Sequence, residues 1–202
     1  MPRQVDHDAR RRQIAEALLR VAAARGLESA SLREVAAEAG ISIGRVQHYF
    51  ASKDRLVMYA TGRLRERIEE RIRRTVEAEP RPPGSLRTLR AILVAFLPLD
   101  EDGRADALAG MAFFHRSLND PELADRYRDG RAQATEAVIE EIRAAVERGE
   151  ARPGLDAELE AHSLLALVGG LIPDLLFDRC RHEQALRVLD HQLERLSGGG
   201  GA

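Results

Sequence analysis

The sequence of 202 residues has one cysteine, no tryptophan and few aromatic residues, which make up 4% of the chain. The single cysteine, Cys180, excludes an intrachain disulfide and a zinc site built on several cysteines, and it fits a reducing compartment. Its thiol is expected to be inert rather than redox-active. Because β-branched and aromatic residues are sparse beside Ala, Leu, Arg and Glu, a β-sandwich or barrel is not expected.

Two further absences bear on location. No apolar run reaches the ~18 residues typical of a membrane span, and the charged segment 1–12 lacks the apolar core of a signal peptide. We therefore expect a cytoplasmic protein with no membrane partner. The chain is 44% hydrophobic and 32% charged, so it can bury a core and stay soluble.

The charges are unevenly distributed. Residues 1–74 contain 16 basic and 10 acidic residues and the remainder contains 15 and 23, so the net charge of −2 conceals parts of +6 and −8. Of the 31 basic residues 30 are arginine, and Lys53 is the only lysine. A basic N-terminal part on an acidic body predicts that one end of the protein meets a polyanion.

Helical periodicity dominates the chain. Nine helices are predicted, over about residues 9–25, 31–38, 42–50, 53–79, 85–97, 104–118, 121–148, 156–177 and 182–196. Pro80, Pro82, Pro83 and Gly84 separate the fourth helix from the fifth, and 100–103 are predicted to form a turn. The second and third helices are short and are joined by a turn that contains Gly40. Such a pair predicts a helix-turn-helix, whose second helix enters the major groove of DNA.

The third predicted helix has two faces. Its apolar side, expected to pack on the second helix, consists of Ile43, Val46 and Phe50. On the other side Gly44 permits close approach of the backbone, Arg45 can pair with guanine, and Gln47 can reach adenine or a phosphate. Phosphate contacts are expected from residues at helix starts and on the rim, namely Ser31, Arg33, Ser42, His48, Tyr49 and Lys53. The run 10–12 of three arginines is either a further phosphate or minor-groove arm or a solvated end.

Residues 10–57 resemble the N-terminal domain of TetR-family transcriptional regulators in both order and spacing. The matching segments are Arg12-Gln-Ile-Ala-Glu-Ala, Ser31-Leu-Arg-Glu-Val-Ala and Ala39-Gly-Ile-Ser-Ile-Gly-Arg-Val-Gln-His-Tyr-Phe-Ala-Ser-Lys53. The resemblance implies a homodimer, usually a repressor, with base contacts from Ile43, Gly44 and Arg45. It implies phosphate contacts from Ser31, Arg33, Ser42, His48 and Lys53. Gln47 departs from the tyrosine that the family usually has there.

The C-terminal part resembles the choline-responsive, BetI-like branch of the same family, which does not fix a ligand. The similar segments are Phe113-Phe114, Asn119-Asp-Pro-Glu-Leu, Arg148-Gly-Glu and Leu164-Leu-Ala-Leu-Val-Gly-Gly-Leu. The expected fold is all-α, with a three-helix helix-turn-helix DNA-binding domain in 1–52, a six-helix effector-binding and dimerisation domain in 53–196, and a flexible tail in 197–202. The expected function is that of a ligand-responsive regulator, most often a repressor released from a palindromic operator by a small molecule. A regulator that answers to a protein partner or to no effector is the alternative.

The last two predicted helices carry wide apolar stripes, which predict either a four-helix interface between two subunits or an intramolecular core. The interface residues predicted from these stripes are Leu164, Leu167, Val168, Leu171, Leu175, Leu186, Leu189 and Leu193. Gly169 and Gly170 would permit close approach of helices.

The sixth predicted helix is apolar almost all round, so we expect it to be buried within its domain. It and its neighbours supply candidate effector contacts, which are Met58, Phe96, Met111, Phe114, His115, Tyr127, Ile172, Asp174 and Phe177. Met and Phe residues at this spacing are also typical of an ordinary core. The effector is a small molecule of unknown identity.

Enzymatic function is not expected. None of the six histidines has glutamate three residues earlier, as a di-iron bundle requires. Glu158 and His162 at i, i+4 are a weak metal pair, and neither a glycine-rich phosphate loop nor a Gly-x-Ser-x-Gly elbow is present. We therefore predict no cofactor and no metal.

Overall fold

The computed structural model describes residues 2–78 and 85–197, with side chains from residue 7 onward. Within these residues the chain forms nine helices and no strand. The helices are α1 (Pro2–Arg25), α2 (Leu32–Glu38), α3 (Ile43–Tyr49), α4 (Lys53–Glu77), α5 (Ser85–Ala95), α6 (Glu101–Ser117), α7 (Pro121–Glu147), α8 (Ala157–Leu176) and α9 (His182–Ser197). The all-α fold class is confirmed. The predicted break at 80–84 and the tail residues 198–202 lie outside the described residues.

Two boundaries differ from the prediction. α1 begins at Pro2 rather than near residue 9, so the three arginines at 10–12 lie inside a helix. α6 begins at Glu101, in the segment predicted to be a turn. The carboxylate of Asp100 caps it by accepting from the N–H of Gly103 at 2.6 Å. A Cβ on Gly103 would lie 3.0 Å from that carboxylate and 3.2 Å from the carbonyl oxygen of Leu97, so this glycine permits a close approach inside the first helical turn.

The helices form two compact units, which do not divide at the boundary predicted between residues 52 and 53. The first unit is Met1–Arg67 with Ala105–Tyr127, and the second is Ile68–Arg104 with Arg128–Ala202. The assignment of DNA binding to 1–52 and of effector binding to 53–196 stays a prediction.

The first unit combines an apolar core with half-buried ion pairs. Ile14, Leu18 and Leu56 are fully buried. Arg67 of α4 lies between two carboxylates, with Nη1 2.7 Å from Oε2 of Glu16 in α1 and Nη2 3.0 Å from Oδ1 of Asp106 in α6. The Asp106 side chain is only 4% exposed. These pairs link α1, α4 and α6.

The second unit has a continuous apolar core drawn from α5, α7, α8 and α9. α8 is the one described helix that is long and apolar enough to cross a membrane, a test that the core helix of a soluble protein also passes. Its inner face lies in the core of this unit, because Ala161, Leu164, Leu165 and Val168 are all buried there.

Most of the predicted dimer contacts lie in this core. The members buried within the single chain are Leu164, Val168, Leu171, Leu175, Leu189 and Leu193. Leu167 and Leu186 are half-buried and pack against the same cluster. The six buried residues are already covered within one chain, as the intramolecular alternative expects, and the interface role of the eight residues stays a prediction. The face that α8 leaves exposed is made of other residues, namely Leu159, His162, Ser163, Ala166, Gly169 and Gly170.

The prediction that the sixth helix is buried all round is wrong. Ala109 and Phe113 of α6 point into the core, whereas Met111, Phe114 and His115 are exposed. Residues 109 and 113 are one helical turn apart, so the buried stripe is narrow although almost every residue of this segment is apolar.

Candidate nucleic-acid interface

The helix-turn-helix is built by two caps and a glycine turn. Ser31 and Glu34 form a reciprocal capping box, in which the N–H of Ser31 donates to Oε2 of Glu34 at 2.8 Å and the N–H of Glu34 donates to Oγ of Ser31 at 3.2 Å. The hydrogen bonds from the Ser31 backbone and then from its hydroxyl lower the pKa of Glu34 below its usual value, so the box stays intact at neutral pH. Ser42 caps α3 by accepting from the N–H of Arg45 at 3.3 Å.

The turn between α2 and α3 is fixed from two sides. Gly40 has a φ of +66°, a left-handed conformation that glycine adopts without strain. The N–H of Ile41 donates to the carbonyl of Ala36 at 3.0 Å. From α1 the side-chain amide of Gln13 donates to the carbonyl of Ala39 at 2.9 Å, which anchors the turn to the first helix.

α3 presents a clear division between buried and exposed residues. Val46 is fully buried and Phe50, which follows the helix, is nearly so. The exposed residues are Ile43, Gly44, Arg45, Gln47 and His48, and Tyr49 is half-buried. Ile43 was expected to pack inward on the apolar pattern, and this is wrong, because it is 40% exposed as the first residue of the helix. Its exposure leaves it free for the base-contacting position that the resemblance implies.

An added Cβ on Gly44 would meet no atom within 4 Å, so space above this part of α3 is open. Tyr49 lies in a row of rings at the end of the helix. Its centroid is 5.2 Å from that of His48 and 4.7 Å from that of His7 in α1. The N-terminal part of α1 therefore reaches the end of α3.

The side chain of Arg11 packs within the first unit and does not extend from it as an arm toward DNA would. Its guanidinium carbon lies 5.1 Å from the ring centre of Phe50 and 4.5 Å from that of Tyr59. These are cation–π distances, and they tie α1 to the end of α3 and to α4. The interpretation of the arginine run as a free arm is wrong for Arg11, since its guanidinium packs on two rings.

Lys53, the first residue of α4, has two hydrogen bonds within its own unit. Its Nζ donates to the carbonyl oxygens of Leu27 at 2.7 Å and Glu28 at 3.3 Å, in the segment between α1 and α2. An ammonium has three donors, so one remains for a phosphate. Of the other predicted phosphate contacts, Ser31, Arg33 and Ser42 are exposed.

The candidate effector residues fall in both units. In the first unit the rings of Phe114 and Tyr127 approach each other, with centroids 5.1 Å apart, while Met58 is buried. Also in the first unit are Met111 and His115, both exposed. The second unit contains Phe96, Ile172, Asp174 and Phe177; Phe96 and Ile172 pack against its apolar core, and Phe177 is exposed.

The described residues were compared with the requirements of a metal site. No group of three His, Cys, Asp or Glu side chains there could hold an ion. Glu158 of the weak pair lies 3.7 Å from the guanidinium of Arg143, and His162 is exposed on the surface of α8.

Arg116, near the end of α6, was missed by the sequence analysis. Its guanidinium donates to the carboxylate of Asp54 in the first turn of α4 at 2.6 Å. The two residues are 62 positions apart, and no local spacing relates them. Only their common unit brings them together.

Comparison with known proteins assigns both parts of the chain. Residues 14–60 match the family described as bacterial regulatory proteins, tetR family, and residues 83–198 match the C-terminal domain of BetI-type transcriptional repressors. The HTH-type transcriptional regulator PksA of Bacillus subtilis (strain 168) is 31% identical over 198 residues, covering 97% of this chain and 94% of that protein.

Solved structures agree with this assignment. A transcriptional regulator from Rhodococcus sp. Rha1 is 33% identical with a TM-score of 0.79, covering 94% of this chain and 96% of that one. A regulator from Saccharomonospora viridis, crystallised in complex with choline, has a TM-score of 0.79 at 22% identity and the same coverage. The latter likeness concerns the fold.

Proposed function

The chain belongs to the TetR family of bacterial regulatory proteins and is a DNA-binding transcriptional regulator, not an enzyme, and we propose that α3 reads its operator in the major groove. The observation that carries the proposal is the exposed face of α3, where Arg45 and Gln47 stand beside an open Gly44 on a doubly capped helix-turn-helix. The regulator acts in the cytoplasm, as a repressor that a small molecule releases from DNA.

Base reading and backbone anchoring are divided between different residues. Arg45 has a fork of donors that matches guanine O6 and N7, and Gly44 lets the helix backbone approach the base edges. The remaining donor of Lys53 and the hydroxyls of Ser31 and Ser42 are placed for phosphates, which fix orientation without reading sequence.

Selection of bound sequences from random duplexes, followed by affinity measurements, tests this division. Arg45→Ala loses discrimination at one base pair of each half-site, about 1–3 kcal/mol, while its affinity for unrelated duplexes changes little. Arg126→Ala, on the exposed surface of α7, is the control for the loss of one positive charge. If Arg45→Ala binds every operator variant as the parent does, the base-reading role is refuted.

A homodimer places two copies of α3 on one face of the duplex. Recognition helices about 34 Å apart demand a near-palindromic site. We assign the interface to the face that α8 leaves exposed, where Ala166, Gly169 and Gly170 are small enough for close packing of a partner helix. Leu159 extends this face with an apolar side chain that is 63% exposed.

Gly170 gives a selective test of that interface, because an added Cβ would meet nothing within 4 Å inside the chain. Gly170→Gln therefore leaves the fold intact but overfills a packed interface, at a cost of about 1–3 kcal/mol. Sedimentation is expected to show dimers shifted toward monomers. Gly130→Gln in α7 is the matched control, since a Cβ there is equally unobstructed. An unchanged dimer in Gly170→Gln would move the interface elsewhere.

For the effector we propose contacts from Phe114 and Tyr127, whose rings lie 5.1 Å apart. Aromatic faces attract cations such as quaternary ammonium groups, so choline is a suitable first probe. The effector has to bind the non-DNA-binding geometry more tightly than the DNA-bound one, because equal affinity shifts nothing. Choline is expected to release the parent protein from its operator. The variant Phe114→Ala is expected to stay bound to the operator at the same choline concentration. If no small molecule in a screen releases the operator, a protein partner or constitutive binding replaces this part of the proposal.

A further inference from the structure

Arg116 is surrounded by carboxylates from three separate segments of the first unit. Its Nη2 donates to Oδ1 of Asp54 at 2.6 Å. Nη1 lies 3.9 Å from Oε1 of Glu28, between α1 and α2, and Nε lies 3.5 Å from Oδ2 of Asp120, just before α7. The Arg116 side chain is 22% exposed, whereas those of Glu28 and Asp54 are 75% and 67% exposed, so water screens these pairs in part.

Two of these carboxylates belong to residues whose backbone adjoins Lys53. Asp54 follows it in the chain, and Glu28 supplies one of the two carbonyl oxygens that accept from its Nζ. A phosphate that approaches Lys53 therefore also approaches two negative charges. At moderate salt, charges within a Debye length of about 10 Å still interact. Repulsion between a phosphate and these carboxylates therefore offsets part of the attraction between the phosphate and Lys53.

A second ion pair joins the same two regions with the opposite polarity. Nη1 of Arg55, in the first turn of α4, lies 3.9 Å from Oε1 of Glu122, in the first turn of α7. Adjacent residues of α4 thus present a carboxylate to Arg116 and a guanidinium to Glu122. The Arg55 and Glu122 side chains are 73% and 65% exposed, so this second pair contributes little compared with that of Asp54 and Arg116.

We propose that Arg116 is a positioning residue for DNA binding, which neutralises Asp54 and Glu28 so that Lys53 can bind a phosphate. Arg116 does so without touching DNA itself. The inference rests on the proposed function, in that it requires α3 and Lys53 to face the duplex. It adds a residue of α6 to the determinants of DNA affinity.

Affinity for several duplexes, measured at low and at high ionic strength, tests the role of Arg116. Arg116→Gln is expected to weaken binding to all duplexes by about tenfold at low salt, the size of one charge pair lost at a partly screened site, with a smaller loss at high salt. Arg116→Lys keeps the charge and is expected to bind within about threefold of the parent. Arg126→Gln controls for net charge and is expected to change affinity by less than about twofold.

A double-mutant cycle separates charge neutralisation from a purely structural role. In the background Glu28→Gln/Asp54→Asn there are no flanking charges to neutralise, so Arg116→Gln is expected to change DNA affinity by less than about twofold there. A tenfold loss in both backgrounds would overturn the proposal. So would equal losses from Arg116→Gln and Arg126→Gln.

The background Glu28→Gln/Asp54→Asn tests the proposal even where Arg116→Gln fails to fold. With Arg116 present, removal of two negative charges beside Lys53 leaves DNA affinity at the parent level or raises it. If binding weakens instead, the ion pairs act as struts and the proposal is wrong. Failure of the parent to bind any duplex would count against the proposed function, whereas normal parent binding with unaffected Arg116 variants counts against Arg116 alone.

Discussion

The two units of this regulator differ in the ion pairs that accompany their apolar cores. In the second unit the helices are joined by a continuous cluster of leucine, isoleucine, valine and alanine side chains. The first unit also has an apolar core, and it adds interhelical ion pairs with a buried member, such as those that Arg67 makes with Glu16 and Asp106. Apolar contacts are non-directional, whereas ion pairs fix which groups face each other.

This difference shows where geometry is specified and where stability is gained. Taking charges out of water costs free energy, and apolar residues of similar size often stabilise a protein as well or better. The pairs around Arg67 and Arg116 are therefore a poor means of raising stability. They set the relative placement of α1, α4 and α6 within the first unit.

The largest effect on stability is expected from a substitution in the core of the second unit. Leu164→Ala removes a fully buried side chain of α8 and should lower the free energy of unfolding by about 2–5 kcal/mol, because the cavity collapses only in part. Denaturant unfolding measures the loss. Val188→Ala, which changes an exposed side chain of α9 in the same unit, is the control, expected to change stability by less than about 0.5 kcal/mol. A small loss at both positions would mean that the leucine cluster is not the main source of stability.

A smaller effect is expected from the ion pairs of the first unit. Asp106→Asn removes the charge that faces Arg67 at 3.0 Å and should cost about 1.5–3 kcal/mol, since Arg67 retains Glu16 as a partner. Asp102→Asn, exposed one turn earlier on α6, should cost less than about 1 kcal/mol. Unfolding curves of the two variants decide the matter, and a cost for Asp106→Asn equal to that of Leu164→Ala would erase the contrast between the units.

The smallest effect on stability is expected from a carboxylate of α7 in the second unit. Burial raises the pKa of Glu141, with smaller raising contributions from Glu140 and Glu150 and a lowering one from Arg148. The folded protein thus holds this proton more tightly than the unfolded chain, so stability falls as the pH rises from the ordinary glutamate pKa through the raised value. Glu141 therefore lowers the stability of the folded protein at neutral pH, where it is ionised, and does not lower it in acid, where it is protonated.

Glu141→Gln should therefore raise the midpoint of thermal unfolding slightly at neutral pH, and the gain should vanish as the pH falls below the ordinary glutamate pKa. Melting curves recorded as a function of pH test this. Asp129→Asn, exposed on the same helix, should show no such pH-dependent gain. A gain that grows in acid would have the wrong sign for a desolvated carboxylate.

Local signals made the helix-turn-helix predictable. The capping box of Ser31 and Glu34 and the turn at Gly40 depend on neighbours within a few residues, and the structure confirms both. Where local sequence signals favour different structures, prediction from those signals fails. Gly103 disfavours a helix, yet the cap from Asp100 starts α6 there, and the apolar Ile43 stays exposed.

Long-range properties were beyond the sequence. An apolar stripe such as that of α8 fits one chain's core as well as a dimer interface, and only packing shows that Leu164 belongs to the core. The partners of Arg116 are likewise set by the tertiary fold, because Asp54 and Glu28 lie 62 and 88 positions away in the chain.

The scarcity of lysine has a practical consequence. Every other cationic side chain is an arginine, so Lys53 carries the only side-chain amine. Acetylation or an amine-directed label can act on just this one side chain, whose Nζ donates a hydrogen bond to the Leu27 carbonyl in the first unit. Loss of that charge by modification would be a selective chemical probe of DNA affinity, and protection of the amine by bound duplex would report occupancy.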